Sequence, residues 1–282
     1  MAQSITNAFV TLFDAEVKQA YQGESSILNC VRLRQGVQGN TYKFPKLGKG
    51  SATTRIPQTD VTPLNVTYSQ VTATMSDFNA AEYSDIFHQA KVNFDERSEL
   101  VQVVSKAIGR RMDQLIIDAL DAASSPSTVA KTVVTTGSAA ASNLNVGKLI
   151  AAKKALDAKN VPFDDRHIVV HANSLSGLLG DERAVSGDFA SIKALVSGEI
   201  NTFLGFNFYV LGDRDEGGLP LSSSDRTIFA FHRSACGMAI NMNQKTEINY
   251  VPEKTSFLVN SMFSAGAVAI DDEGIVKITC EE

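Results

Sequence analysis

His167 and His171 lie four residues apart, just behind Asp164 and Asp165, a spacing that on a helix would bring two imidazoles to one metal ion. The intervening "IVV" favours a strand instead, where four residues at about 3.3 Å each hold the rings roughly 13 Å apart. They read as histidines of a core edge or a polar face. The stretch "DRDEGG" at 213–218 sets out Asp213 and Asp215 as a calcium loop would, but Gly217 takes the third ligand position and Ser224 stands where a bidentate Glu belongs. A solvated turn is the better reading. "KLGKGS" carries the Gly-Lys of a phosphate loop, yet position 43 is Lys43 rather than Gly, and Gly50 follows Lys49 where Ser or Thr is needed. It reads as a flexible basic turn at the tip of a ribbon. Asp271, Asp272 and Glu273 adjoin one another in a turn, where such acids usually face water. The motifs GxSxG, GxGxxG and HExxH do not occur. Cys30, Cys236 and Cys280 are too scattered for a disulfide framework and read as reduced, buried small hydrophobes. With no catalytic, metal or cofactor constellation, the residues point to a structural or assembly role.

The chain of 282 residues, 44% hydrophobic and 20% charged, can bury one large core or two modest ones. Its net charge of -5 is scattered, so no basic field advertises nucleic-acid binding. The opening "MAQSITNAFVTLFDAEVK" lacks a basic leader, and no run approaches the roughly 20 apolar residues of a membrane span. A cytoplasmic chain without membrane contact is expected.

Residues 7–21 place Phe9, Leu12, Phe13, Val17 and Tyr21 at helical spacing, and "ESSILNCVRLRQ" reads as short strands leading into an arm. "TYKFPKL" and "LNVTYSQVTATMS" have the residues of two strands, joined by a Gly, Ser, Thr and Pro-rich connection. They form the legs of a long ribbon with little apolar mass. Ordering each residue costs on the order of 1–2 kcal/mol, so the ribbon must lie on something else. Residues 93–124 carry apolar residues at three and four, with Asn93 and Glu96 spaced as a capping box, and predict one helix of about 27 residues. The passage 124–143 is a strand pair or a linker. Beyond it, a helix over "NVGKLIAAKKALDAKN", the strand "RHIVVH", the helix "NSLSGLLG", a partly helical "FASIKALVSGEINTF" and the strands "GFNFYVL" and "RTIFAFH" alternate as in a mixed α/β domain. "SFLVNSMFSAGAVAIDDEGIVKITC" predicts a long strand, a turn near "DDEG" and a returning strand.

This order of elements, with the strand "TIFAFHRSACGMAI" and the ending "SAGAVAIDDEGIVKI", resembles the major capsid proteins of tailed bacteriophages over nearly the whole chain. The resemblance implies an α+β fold with an N-terminal arm (1–39), an extended β-ribbon loop (40–78), a peripheral domain with a spine helix (79–142), an axial domain (143–250) and return strands (251–282). It implies a structural protein, not an enzyme, found in the virion after assembly in the host cytoplasm. The shell would be built of pentamers and hexamers around double-stranded DNA, with scaffolding protein, portal and a possible decoration protein as partners. The ribbon would then cross a neighbouring subunit. Its cations Lys43, Lys46, Lys49 and Arg55 are candidates to pair with Asp95, Glu96 and Glu99 at the start of the neighbour's spine helix. Some relatives join a loop Lys to an Asn of another subunit, and Lys46 or Lys49 with Asn249 or Asn260 would be the counterparts here. Three rivals stand beside this reading. Encapsulin compartments resemble the same fold, other phage components form rings or tubes, and a cytoplasmic α/β enzyme would use His167, His171 or the Asp213 and Asp215 turn and remain a small oligomer.

Overall fold

The computed structural model describes residues 22–23, 25–61, 63–91, 95–135, 137, 139–179, 202–214 and 216–282. The expected helix over 7–21, the capping residue Asn93 and most of 189–203 lie outside them. In chain order the strands are β1 (Arg32–Gln35), β2 (Thr41–Leu47), β3 (Tyr68–Thr74), β4 (Ser76–Asp85), β5 (Ser127–Val129), β6 (Arg166–His171), β7 (Thr202–Phe203), β8 (Phe206–Leu211), β9 (Leu221–Ser222), β10 (Asp225–His232), β11 (Cys236–Val251), β12 (Ser256–Ala269) and β13 (Ile275–Glu281). The helices are α1 (Ile86–Gln89), α2 (Glu96–Asp121), α3 (Val146–Ala158) and α4 (Ala172–Leu179).

The strands form three sheets: a four-stranded one ordered β1-β11-β12-β4, a seven-stranded one ordered β5-β13-β10-β6-β8-β7 with β9 beside β10, and the two-stranded ribbon β2-β3. The predicted long helix is α2, 26 residues and about 39 Å in length. Its apolar face, Val104, Ile108, Met112, Ile116, Ile117 and Leu120, is buried, and the helix lies along β12 and β4. Arg111 and Arg97 cover the rings of Phe78 and Phe257 on that sheet, at 4.6 and 4.8 Å. α3 begins where the Asn145 side chain accepts from the Lys148 amide, a side-chain cap that satisfies one of the orphan donors of the first turn. It ends against β6, where the buried Arg166 pairs with Asp157 at 2.7 Å and donates to the carbonyls of Val161 and Pro162.

Two expectations need correction, and a third is narrowed. The strand after the acidic turn does not return along β12. Both edges of β12 are already taken, by β11 and β4, so β13 has no ladder there and pairs with β10 and β5 in the other sheet. The strands expected to lead into an arm include β1, which is an edge strand paired in parallel with β11. The passage 124–143, read as a strand pair or a linker, holds one short strand among its described residues, β5, which pairs with β13.

His167 and His171 are both on β6, every residue of which is buried. Neither ring nitrogen of His167 has a polar partner, and its neighbours are the rings of Tyr209 and Phe231. Burial holds its pKa below the ordinary 6.5, and burial does the same to His232 at the end of β10. Between the folded and unfolded pKa values the unfolded chain binds more protons, so stability falls as pH drops below about 6.5. The urea midpoint should therefore be lower at pH 5.5 than at pH 7.5, and His167→Phe should flatten that slope, with His232 supplying the remainder. An unchanged slope in the variant would remove His167 as its source.

Candidate functional site: the ribbon and its root

The ribbon pairs in register from Thr41 opposite Thr74 to Leu47 opposite Tyr68, and the Gly48 amide extends it by donating to the Thr67 carbonyl at 2.8 Å. The second leg starts at Tyr68, four residues later than its sequence suggests. Beyond this ladder the chain presents apolar side chains to solvent: Ile56, Leu64 and, 85% exposed, Val61, with Leu47 and Tyr68 at the ladder's end. Scattered exposed apolar residues are ordinary, but five on one projecting element are an unfilled surface.

The root differs from the tip. Phe44 is fully buried with Val37, Ala73, Met75, Ala239 and Ile270, a small core of its own, and Tyr42 meets Phe44 edge-on at 4.8 Å. The expectation that the ribbon has almost nothing to bury holds for its tip and fails at its root. Two glycines make this seat possible. A Cβ on Gly266 would stand 2.1 Å from the Thr74 carbonyl oxygen, and one on Gly237 would meet Ile270 and Phe44 at 2.7 and 2.8 Å. The small-residue run of β12 therefore lets the ribbon backbone approach the sheet.

The four ribbon cations part company here. Lys46 Nζ donates to Asp271 Oδ1 at 2.8 Å, and Lys49 donates to Glu273, which raises the Lys49 pKa. Lys43 and Arg55 are exposed and have no ion pair among the described residues. At the start of α2, Glu96 Oε2 accepts from the Ser84 hydroxyl at 2.8 Å, Asp95 faces Arg97 at 3.7 Å, and the Glu99 amide reaches the Asp95 carbonyl at 3.5 Å. The structure thus brings Lys46 and Lys49 to the acidic turn of their own chain, and no described ion pair joins a ribbon cation to Asp95, Glu96 or Glu99. "KLGKGS" is a segment clasped to the acidic turn at the ladder's end, not a free basic tip. Asn249 donates to Glu247 at 3.4 Å, and Asn260 holds a buried side-chain oxygen without a partner.

The segment taken for a solvated turn at 213–218 is docked as well; Asp215 is outside the described residues. Asp113, on the buried side of α2, accepts from the Ser25 hydroxyl at 2.9 Å, from the amides of Ser26 and Ile27 at 3.1 and 3.3 Å, and from Arg214 at 3.2 Å. Burial pushes its carboxyl up, while these donors pull it back toward the ionised form. Glu216 pairs with Arg111 at 3.3 Å, and the Gly217 amide donates to Gln114 at 2.7 Å. Asp213 joins a further cluster: it lies 3.0 Å from His171 Nε2 and 3.2 Å from Arg226, and Glu282 lies 3.1 Å from His171 Nδ1 and 2.8 Å from Arg226. These groups tie loops to strands, and Asp213, Arg214, Glu216 and Arg226 line an open, solvent-facing groove of about 640 Å³. Burial pushes the thiols of Cys30 and Cys280 up to about 11 and that of Cys236 to about 12, which leaves them inert at neutral pH.

Head proteins of phages share this architecture. The head of Helicobacter pylori bacteriophage KHP40 superposes with a TM-score of 0.79 at 12% identity, over 99% of this chain and 98% of that one. The capsid of cyanophage P-SCSP1u gives 0.75 at 15% identity, over 100% and 96%. Mycobacterium phage Che8 gives 0.72 at 18%, over 98% of both chains. No curated protein matches in sequence. The fold is thus that of the subunits of tailed-phage head shells. The profile of the phage capsid protein family matches residues 5–282, and the chain belongs to that family. It is a structural, non-enzymatic protein of the virion's head shell.

Proposed function

We propose that copies of this chain assemble as pentamers and hexamers into an icosahedral head that encloses double-stranded DNA. The observation that carries this reading is the ribbon: its root is seated in its own chain, and its tip offers Ile56, Val61 and Leu64 to a surface that the described residues of its own chain do not supply. A second copy is the occupant of that surface. Each fully buried aliphatic side chain contributes roughly 1.5–3 kcal/mol, so burying Ile56, Val61 and Leu64 against a neighbour offsets part of the cost of ordering the tip. Scaffolding protein and portal are the expected assembly partners in the host cytoplasm, with a decoration protein as a further one. The net charge of -5 suits a wall that holds DNA without adhering to it.

Lys43 and Arg55 then pair with Asp95, Glu96 and Glu99 of the neighbour, and Lys46 and Lys49 join them only on leaving Asp271 and Glu273. Exposed pairs contribute about 0–1 kcal/mol each, so they set register rather than strength. Electron microscopy of the expressed chain, alone and with a scaffolding protein, should show closed shells tens of nanometres across; small compact particles in both preparations would overturn the reading. Lys43→Glu with Arg55→Glu should reduce closed shells several-fold, and normal assembly of that variant would exclude the pairing.

A further inference from the structure

Four separate parts of the chain meet at the turn 270–274. The turn follows β12 and precedes β13, so it is one of three crossings between the larger sheets, the first of which runs from β4 to β5 by way of α2. Another, from β10 to β11, runs through the 3-10 turn Arg233–Ala235. These last two crossings are bonded together: the amides of Ile270 and Asp271 both donate to the Ala235 carbonyl, at 2.7 and 3.1 Å. A Cβ on Gly274 would come within 2.8 Å of the Ala235 methyl, so the contact is close on both sides. The ribbon reaches the turn through Lys46 on Asp271 and Lys49 on Glu273. The end of the long helix reaches it through the Ser125 amide, which donates to Asp272 Oδ2 at 2.9 Å.

One atom serves two of these parts. Asp271 Oδ1 accepts the Glu273 amide at 3.1 Å, which caps the turn, and also the Lys46 ammonium at 2.8 Å. The carboxylate cannot follow a moving ribbon without loosening the turn. Three consecutive acids thus hold three different partners within one tight 3-10 turn, whose short hydrogen-bonded loop leaves little freedom for independent motion. The Lys46 and Asp271 side chains are each 37% exposed, so this is a soft link that can open, not a permanent lock.

We propose that the turn 270–274 is a coupler that passes a displacement at the end of α2, or at the crossing between sheets, into the pitch of the ribbon. The device belongs to the single chain and does not depend on the shell architecture proposed above. Coupling of this kind needs a contiguous set of contacts with more than one arrangement, and the turn provides the contacts.

Asp272 has no bond to the ribbon, so its substitution reads transmission alone. In hydrogen exchange of the full chain, Asp272→Ala should speed exchange of the β2 and β3 amides about threefold or more, since ladders at a loosened anchor open locally. Asp272→Asn keeps an oxygen acceptor and should restore the parental rate. Lys46→Gln with Lys49→Gln, which opens the clips directly, should give the largest increase. Faster exchange confined to residues 121–126 and 270–274 in Asp272→Ala would overturn the coupler. So would an equal increase in β10 and β6, because that reports lost global stability rather than selective transmission.

Discussion

Gly266→Ala should leave both large sheets folded and yet block the formation of closed shells. The added methyl would begin 2.1 Å from the Thr74 carbonyl oxygen, a backbone atom that cannot turn aside as a side chain can. The ribbon root must lift, and Phe44 then loses contact with Ala239 and Ile270. Overpacking of this kind costs typically 1–3 kcal/mol, within reach of what a domain tolerates, so the loss should show in assembly before it shows as unfolding. Gly212→Ala is the matched control, because a Cβ there meets nothing within 4 Å. Urea unfolding and electron microscopy of the two variants make the comparison; a Gly266→Ala chain that forms normal shells would show that the close approach is dispensable.

Asp113→Ala should cost more stability than any surface change, about 3–5 kcal/mol, the range found when one partner of a buried ion pair is removed. The variant strands the Arg214 guanidinium, only 11% exposed, and leaves the amides of Ser26 and Ile27 without their acceptor. Adding Arg214→Met should recover part of the loss, since the uncompensated charge then disappears. The urea midpoints of the two single variants and the double variant give the coupling energy. Independent, additive losses would mean that the pair does not hold the 213–218 loop to the long helix.

Much of the architecture was legible because its signals are local. Ten apolar positions at helical spacing define α2, and β-branched and aromatic runs define β6, β8 and β10. Pairing was harder to read. The return of β13 to a different sheet depends on the occupied edges of β12, which no property of "IVKITC" announces. The anchorage was also hidden, because the lysines of "KLGKGS" and the acids of "DDEG" are more than 200 positions apart and each looks solvated by itself. Some signals were nevertheless present. Asp113 is an acid inside the apolar face of a long helix, Phe44 alternates with Tyr42 along one leg of the ribbon, and Gly266 sits in a run of small residues where bulk would be expected. Each of these marks a place where another part of the chain arrives.

The division of the ribbon into a seated root and a bare tip makes it a lever. From Lys49, the last residue tied to the acidic turn, to Pro57 about eight residues project, so the tip lies at most about 29 Å beyond that tie. A rotation of about 5° about that tie sweeps the tip through roughly 2.5 Å, most of the spacing of one residue along a strand. The geometry therefore magnifies sub-ångström adjustments at the Lys46 and Lys49 ties into a shift of most of a residue at the far end. Tolerance for curvature between neighbouring copies can reside in this one short fulcrum while the rest of the subunit stays rigid.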